Sequence, residues 1–179
     1  VSGRVAKPGL VLAPAGTTAN ELIEKCGGIS EGHKFKAYLP GGASGGILPE
    51  SKADIGLDFG GELAEYGCFV GSHAIVILSD HDNIWDVAKN LMRFFKHESC
   101  GQCTPCRAGT DKALSMMNSA EYQPELLSEI AAVMRDASIC GLGQAASNPL
   151  SCAMRFFPEE CESSFLSVSN DINLTGNNT

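Results

Sequence analysis

Glu98-Ser99-Cys100-Gly101-Gln102-Cys103-Thr104-Pro105-Cys106-Arg107 carries three cysteines at Cys-x-x-Cys-x-x-Cys spacing and runs into the proline start of a helix. Thiols this close in sequence commonly serve one metal centre, and soft thiolates select iron–sulfur clusters or zinc. A four-iron cube takes four cysteines, so one ligand must come from elsewhere. Cys140 is the best placed, within Ser138-Ile139-Cys140-Gly141-Leu142-Gly143, 34 positions beyond Cys106. The glycines around it let the backbone approach a cluster closely. Cys106 falls in the first turn of the helix opened by Thr104-Pro105, where the positive helix end and Arg107 favour an anionic thiolate shell. Cys100, Cys103, Cys106 and Cys140 are therefore the metal candidates.

Zinc also accepts four thiolates, although its structural sites usually use paired Cys-x-x-Cys motifs. Eight cysteines could alternatively form a disulfide framework. No secretory signal opens the sequence, so a reducing, cytoplasmic setting and metal ligation fit better. Cys26, Cys68, Cys152 and Cys161 read as small buried hydrophobes.

Helical periodicity surrounds the motif. Ile84, Val87, Ala88, Leu91 and Phe95 form one apolar stripe, and Leu126, Leu127, Ile130, Val133 and Met134 form another behind Pro124. Thr104-Pro105 and Asn148-Pro149 each look like a cap followed by proline at the first helical position. Four helices over 81–165 predict a small bundle. Residues 166–179 read as a polar, disordered tail. Asn173 and Asn177 match glycosylation acceptors only by chance, since nothing indicates secretion.

Upstream, residues 1–80 read as a compact α+β unit. Val1–Val5 and Leu10–Ala13 look like strands joined at Lys7-Pro8-Gly9. Thr18-Ala19-Asn20-Glu21 has the form of a capping box, and Ala19, Leu22, Ile23 and Cys26 line one helix face before Gly27. Phe35, Ala37 and Leu39 alternate, as do Ile55, Leu57 and Phe59, and Ala74–Leu78 is a continuous apolar run. This order of elements predicts a β-grasp (ubiquitin-like) fold. The chain begins at Val1, already in strand-like sequence, and reads as part of a longer protein.

Composition narrows the function. A net charge of −8 argues against nucleic-acid partners. No apolar run approaches the roughly 18–20 residues of a membrane span, so no direct membrane insertion is expected. His33, His73, His81 and His97 are scattered without ligand spacing, and His97 reads as a surface residue near Cys100. The run Gly41–Gly46 follows a strand but precedes a proline-containing stretch, which favours a tight loop over a phosphate cradle. No catalytic triad or carboxylate pair stands out.

The paired stretches ESCGQCTPCRAGT and DASICGLGQAASNP resemble the C-terminal part of the NADH- and FMN-binding flavoprotein subunit of complex I-like enzymes. Relatives of that subunit occur in NAD-linked hydrogenases and in NAD-dependent formate dehydrogenases. VSGRVAKPG and FKAYLPGG look like that family's SLBB (soluble-ligand-binding β-grasp) domain. The resemblance implies that Cys100, Cys103, Cys106 and Cys140 bind one 4Fe–4S cluster, exchanging electrons with FMN, which exchanges hydride with NAD(H). It also implies partner subunits carrying further iron–sulfur centres. The family's flavin and nicotinamide region lies upstream of the matching part, so FMN and NAD(H) belong to the full-length subunit only and this chain has no catalytic residues of its own. AYLPGGASGGILP and Gly101-Gln102 look most like the formate dehydrogenase beta subunit, because complex I subunits more often show Gly-Gly-x-Ser-Thr-Pro at this loop. The different-class alternative is an SLBB-type ligand- or partner-binding module with a purely structural cluster.

Overall fold

The computed structural model describes residues 1–165. The expected polar tail, with Asn173 and Asn177, lies outside the described residues. The chain divides into two compact units, Val1–Asn83 and the part from Ile84 onward.

The first unit contains β1 (Ser2–Gly3), α1 (Ala19–Lys25), β2 (Phe35–Leu39), β3 (Leu48–Pro49) and β4 (Val76–Ser79). Single 3-10 turns lie at Glu50–Lys52 and Glu62–Tyr66. The strands form one mixed sheet in the order β1-β4-β2-β3, with β1 parallel to β4 and the other pairs antiparallel. The capping box of α1 is complete: Glu21 N–H donates to the Thr18 hydroxyl, and the Glu21 carboxylate accepts from Thr18 N–H at 2.8 Å. Ala19, Leu22 and Ile23 are buried, as the periodicity requires.

Two expected strands are absent. Residues 10–13 form no ladder, and Leu10 and Leu12 both point fully into solvent, so no core rewards pairing there. Residues 55–59 run beside 16–18 through Leu57 N–H to Thr17 and Gly16 N–H to Leu57, one isolated bridge before Gly60-Gly61 turns the chain. The glycine run is the tight loop that was expected. A Cβ at Gly41 would sit 2.2 Å from the Val70 carbonyl, so backbone packs on backbone and fills the space a ligand would need.

The second unit contains α2 (Ile84–Glu98), α3 (Thr104–Met117), α4 (Pro124–Ala137), α5 (Gly141–Ala145) and α6 (Asn148–Phe156). Residues 158–165 are also helical, and Cys161 and Phe165 in them are buried. The four expected helices are joined by α5 and this last run, so the helical region exceeds a simple four-helix count.

Two further details differ from the sequence reading. The caps of α3 and α6 are Cys103 and Ser147, one position earlier than expected, because Thr104 and Asn148 are already helical and proline takes the second position. The buried face of α2 is Ile84, Trp85, Ala88, Met92 and Phe95, with Val87 and Leu91 only half-buried. Trp85 draws the helix toward itself. Its ring lies 5.2 Å from that of Phe165 and 6.0 Å from that of Tyr122, and Glu160 accepts from Ile84 N–H at 2.9 Å. On α4, Leu127, Ala131 and Met134 face inward while Leu126 and Val133 are exposed. Helices α3 and α4 meet at Gly109, where a Cβ would overlap the Met134 side chain.

Candidate metal centre

The loop between α2 and α3 is shaped by local bonds. Gly101 adopts φ +75°, a left-handed conformation that glycine takes without steric cost. The Ser99 hydroxyl accepts from Gly101 N–H at 3.3 Å and lies 3.3 Å from the Cys106 sulfur. Arg107 folds back over the loop, donating to the Gly101 carbonyl and, at 3.5 Å, to the Thr104 hydroxyl. Cys103 is the N-cap of α3, and Cys106 sits in its first turn with Thr110 donating to its carbonyl at 2.8 Å.

The segment that carries the remote cysteine is brought to the same place. Cys140 is the N-cap residue of α5, immediately after α4. The N–H of Ile139 is the largest influence holding the Cys103 thiol below its ordinary range, followed by the N–H of Cys106. A Cβ at Gly143 would sit 2.8 Å from the Cys106 Cβ and 2.6 Å from the Ser138 hydroxyl. Segment 138–143 therefore lies directly on both Cys103 and Cys106, and only glycine permits its approach. Gln144 secures the turn by donating to the Ser138 carbonyl at 3.1 Å.

Thiolates are the donors an iron–sulfur group takes. Cys100 and Cys140 are exposed, Cys103 is half-buried and Cys106 is buried. The Ser138 hydroxyl is buried without a partner in hydrogen-bond geometry, although it lies near enough to Cys103 to help depress that thiol.

The remaining cysteines behave differently. Cys26, Cys68, Cys152 and Cys161 are all at most 3% exposed. Burial pushes the Cys161 thiol up to about 12, with the nearby Glu160 charge adding to the effect. His97 is exposed and pairs with its neighbour Glu98 at 3.0 Å. Sequence reasoning missed one association: His33 and His81 have ring centroids 4.6 Å apart. The antiparallel register of β2 and β4 was the signal that could have found it.

Residues 86–164 match the NADH-ubiquinone oxidoreductase-F iron-sulfur binding region, and residues 1–48 match the SLBB domain. The chain thus joins an SLBB domain to an iron–sulfur binding region of the 4Fe–4S type. It is homologous to the C-terminal part of the F-type subunits of NADH-quinone oxidoreductase. It is 38% identical over 170 residues to the Escherichia coli protein of this type, covering 90% of this chain and 38% of the relative. It is 36% identical over 167 residues to the second such protein of Rhizobium meliloti, covering 89% of this chain and 39% of the relative. The chain therefore spans less than two fifths of these relatives. A chain of the NAD+-reducing NiFe-hydrogenase in the air-oxidized state superposes with a TM-score of 0.76 at 27% identity, over 90% of this chain and 28% of that one. The H2-reduced state of such a hydrogenase gives a TM-score of 0.79 over 99% of this chain and 33% of that one. At 24% identity that likeness concerns the fold alone.

Proposed function

We propose that Cys100, Cys103, Cys106 and Cys140 hold one 4Fe–4S cluster, and that this chain is the electron-relay portion of a longer NADH:acceptor oxidoreductase flavoprotein subunit. The observation carrying this reading is segment 138–143 seated on Cys103 and Cys106. A triplet of closely spaced thiols with a fourth from a distant loop supports it further, since structural zinc sites usually use paired Cys-x-x-Cys motifs. When bound, the cluster supplies one-electron redox chemistry. The chain's own residues hold and orient the donors. Amides at the start of α3 present positive polarity to Cys103, Arg107 braces the loop through Gly101 and Thr104, Ser99 hydrogen-bonds at Cys106, and Gly143 allows the closest backbone approach.

In this reading FMN and NAD(H) bind the part of the protein that this chain does not span. Electrons pass between that flavin and further iron–sulfur centres in partner subunits. Residues 1–80 serve as an SLBB β-grasp domain and 81–165 as the bundle that presents the cluster, in a cytoplasmic complex without nucleic acid. Within the class, AYLPGGASGGILP and Gly101-Gln102 favour the beta subunit of an NAD-dependent formate dehydrogenase.

Anaerobic reconstitution tests the proposal. It should yield about four irons and four sulfides per chain and a cluster reversibly reduced near −400 mV, in the range of low-potential ferredoxins. Stoichiometric zinc without iron would overturn the cluster, and a cluster that takes up no electron would make it a structural one. The chain alone should give no NADH-dependent dye reduction, while the protein extended upstream should give it with FMN bound.

A further inference from the structure

We propose that His33, Asp80 and His81, in the first unit, form a surface site for one divalent transition cation of the zinc class, pinning the outer end of the β2–β4 pair. A ring nitrogen of each histidine and a carboxylate oxygen of Asp80 all lie within 4.8 Å of one another. Three donors held 2.0–2.2 Å from one ion lie at most roughly 4.4 Å apart, so a small side-chain adjustment closes the site.

An adjacent Asp-His pair on a surface is commonplace. What distinguishes this one is His33, delivered from 48 positions upstream by strand register. Phe35 pairs with Ser79, and the ladder continues outward through Asp80 N–H to the Lys34 carbonyl at 3.0 Å. Two positions beyond the Phe35–Ser79 pair, His33 faces His81 on the same side of the ribbon. The rings tilt at 56° to one another rather than stacking.

A second layer of bonds prepares the donors. The Ser79 side chain is fully buried, and its hydroxyl gives its single proton to Asp82 at 3.1 Å. His33 Nδ1, 2.9 Å from the same oxygen, must therefore donate to it, which leaves the Nε2 lone pair bare. Asp82 is fixed in turn by Arg4 at 2.7 Å. One oxygen of Asp80 accepts Lys34 N–H at 2.9 Å, and the other remains for a cation. Two imidazoles and a carboxylate suit zinc, copper or nickel, whereas calcium and magnesium take oxygen ligands. His81 and Asp80 are exposed, so water can complete the coordination.

The test titrates Zn2+ into the full chain with its iron–sulfur centre reconstituted anaerobically, following histidine ring resonances by NMR. His33 and His81 should shift together and saturate at one equivalent while His73 and His97 stay still. His81→Ala and Asp80→Asn, both on the surface, should weaken binding at least tenfold and threefold. Ca2+ should move nothing. Equal broadening of all four histidines, unchanged affinity in His81→Ala, or an equal response to Ca2+ would each overturn the site.

Discussion

The turns of the sheet unit close on their own hydrogen bonds, whereas two loops of the helical unit, braced by Arg107 and Gln144, also leave thiols exposed. At the turn after β4, Asp82 accepts from Arg4, from the Ser79 amide and from the Ser79 hydroxyl. The glycine run 41–46 is backed by the chain at 69–72, with Ser72 N–H donating to Gly41 at 3.2 Å. In the helical unit, by contrast, two loops meet around exposed thiols and a buried Ser138 hydroxyl without a partner. A site of soft donors does not pre-exist in the unfolded chain, so metal binding adds to folding free energy. On the proposed cluster, the difference predicts that iron sustains the helical unit more than the sheet unit.

Metal removal should give the largest effect. Chelating the iron should collapse protection of α3–α5 amides in hydrogen exchange while β2 and β4 stay protected. Equal loss in both units would break the comparison. Cys140→Ser should act similarly, altering the electron paramagnetic resonance signal and loosening α4 and α5. Cys152→Ser serves as control, keeping the cluster at a cost of about 1–3 kcal/mol for a poorly satisfied hydroxyl. If Cys152→Ser loses the cluster while Cys140→Ser keeps it, the fourth ligand is misassigned.

A smaller effect comes from Gly143→Ala. Its methyl would overlap Ser138 and Cys106, which overpacks the site by about 1–3 kcal/mol and should lower iron content. Gly141→Ala, which meets nothing within 4 Å, should be neutral or gain about 0.5–1 kcal/mol from helix propensity. Thermal melts with iron analysis on the two variants separate packing from propensity.

The smallest effect belongs to the sheet unit. The Arg4 guanidinium holds the Asp82 carboxyl well below the usual carboxylate range, with Ser79 N–H assisting. The folded pKa is depressed relative to an unfolded value of about 3.9. The stabilisation is therefore present above that value and is lost as pH falls through the folded one. Asp82→Asn should cost about 1 kcal/mol at neutral pH and flatten acid unfolding of this unit. An acid titration showing the same slope in parent and variant would remove Asp82 from the account.

The cluster loop and the helix starts were legible because their signals are local. Cysteine spacing and Pro105, Pro124 and Pro149 act within one turn of chain. The capping box at Thr18 was legible for the same reason. What escaped depended on partners distant in sequence. Alternation at 55–59 and apolarity at 10–13 suggest strands, but a strand exists only where another edge receives it. The α2 stripe was placed too near Val87 and Leu91 because nothing local shows that Phe165 and Tyr122 gather around Trp85. His33 and His81 looked unrelated for the same reason: only the β2–β4 register brings them together.

Trp85 is the single tryptophan of the chain. It is buried in the helical unit beneath Phe165, whose helix also supplies Glu160 to the first amide of α2. Tryptophan emission is consequently an intrinsic optical probe of that unit alone. A red shift would report that the 158–165 helix has lifted from α2, without any label and without a contribution from the sheet. Followed during iron loading, the same signal would time the closing of this last helix against the assembly of the metal centre.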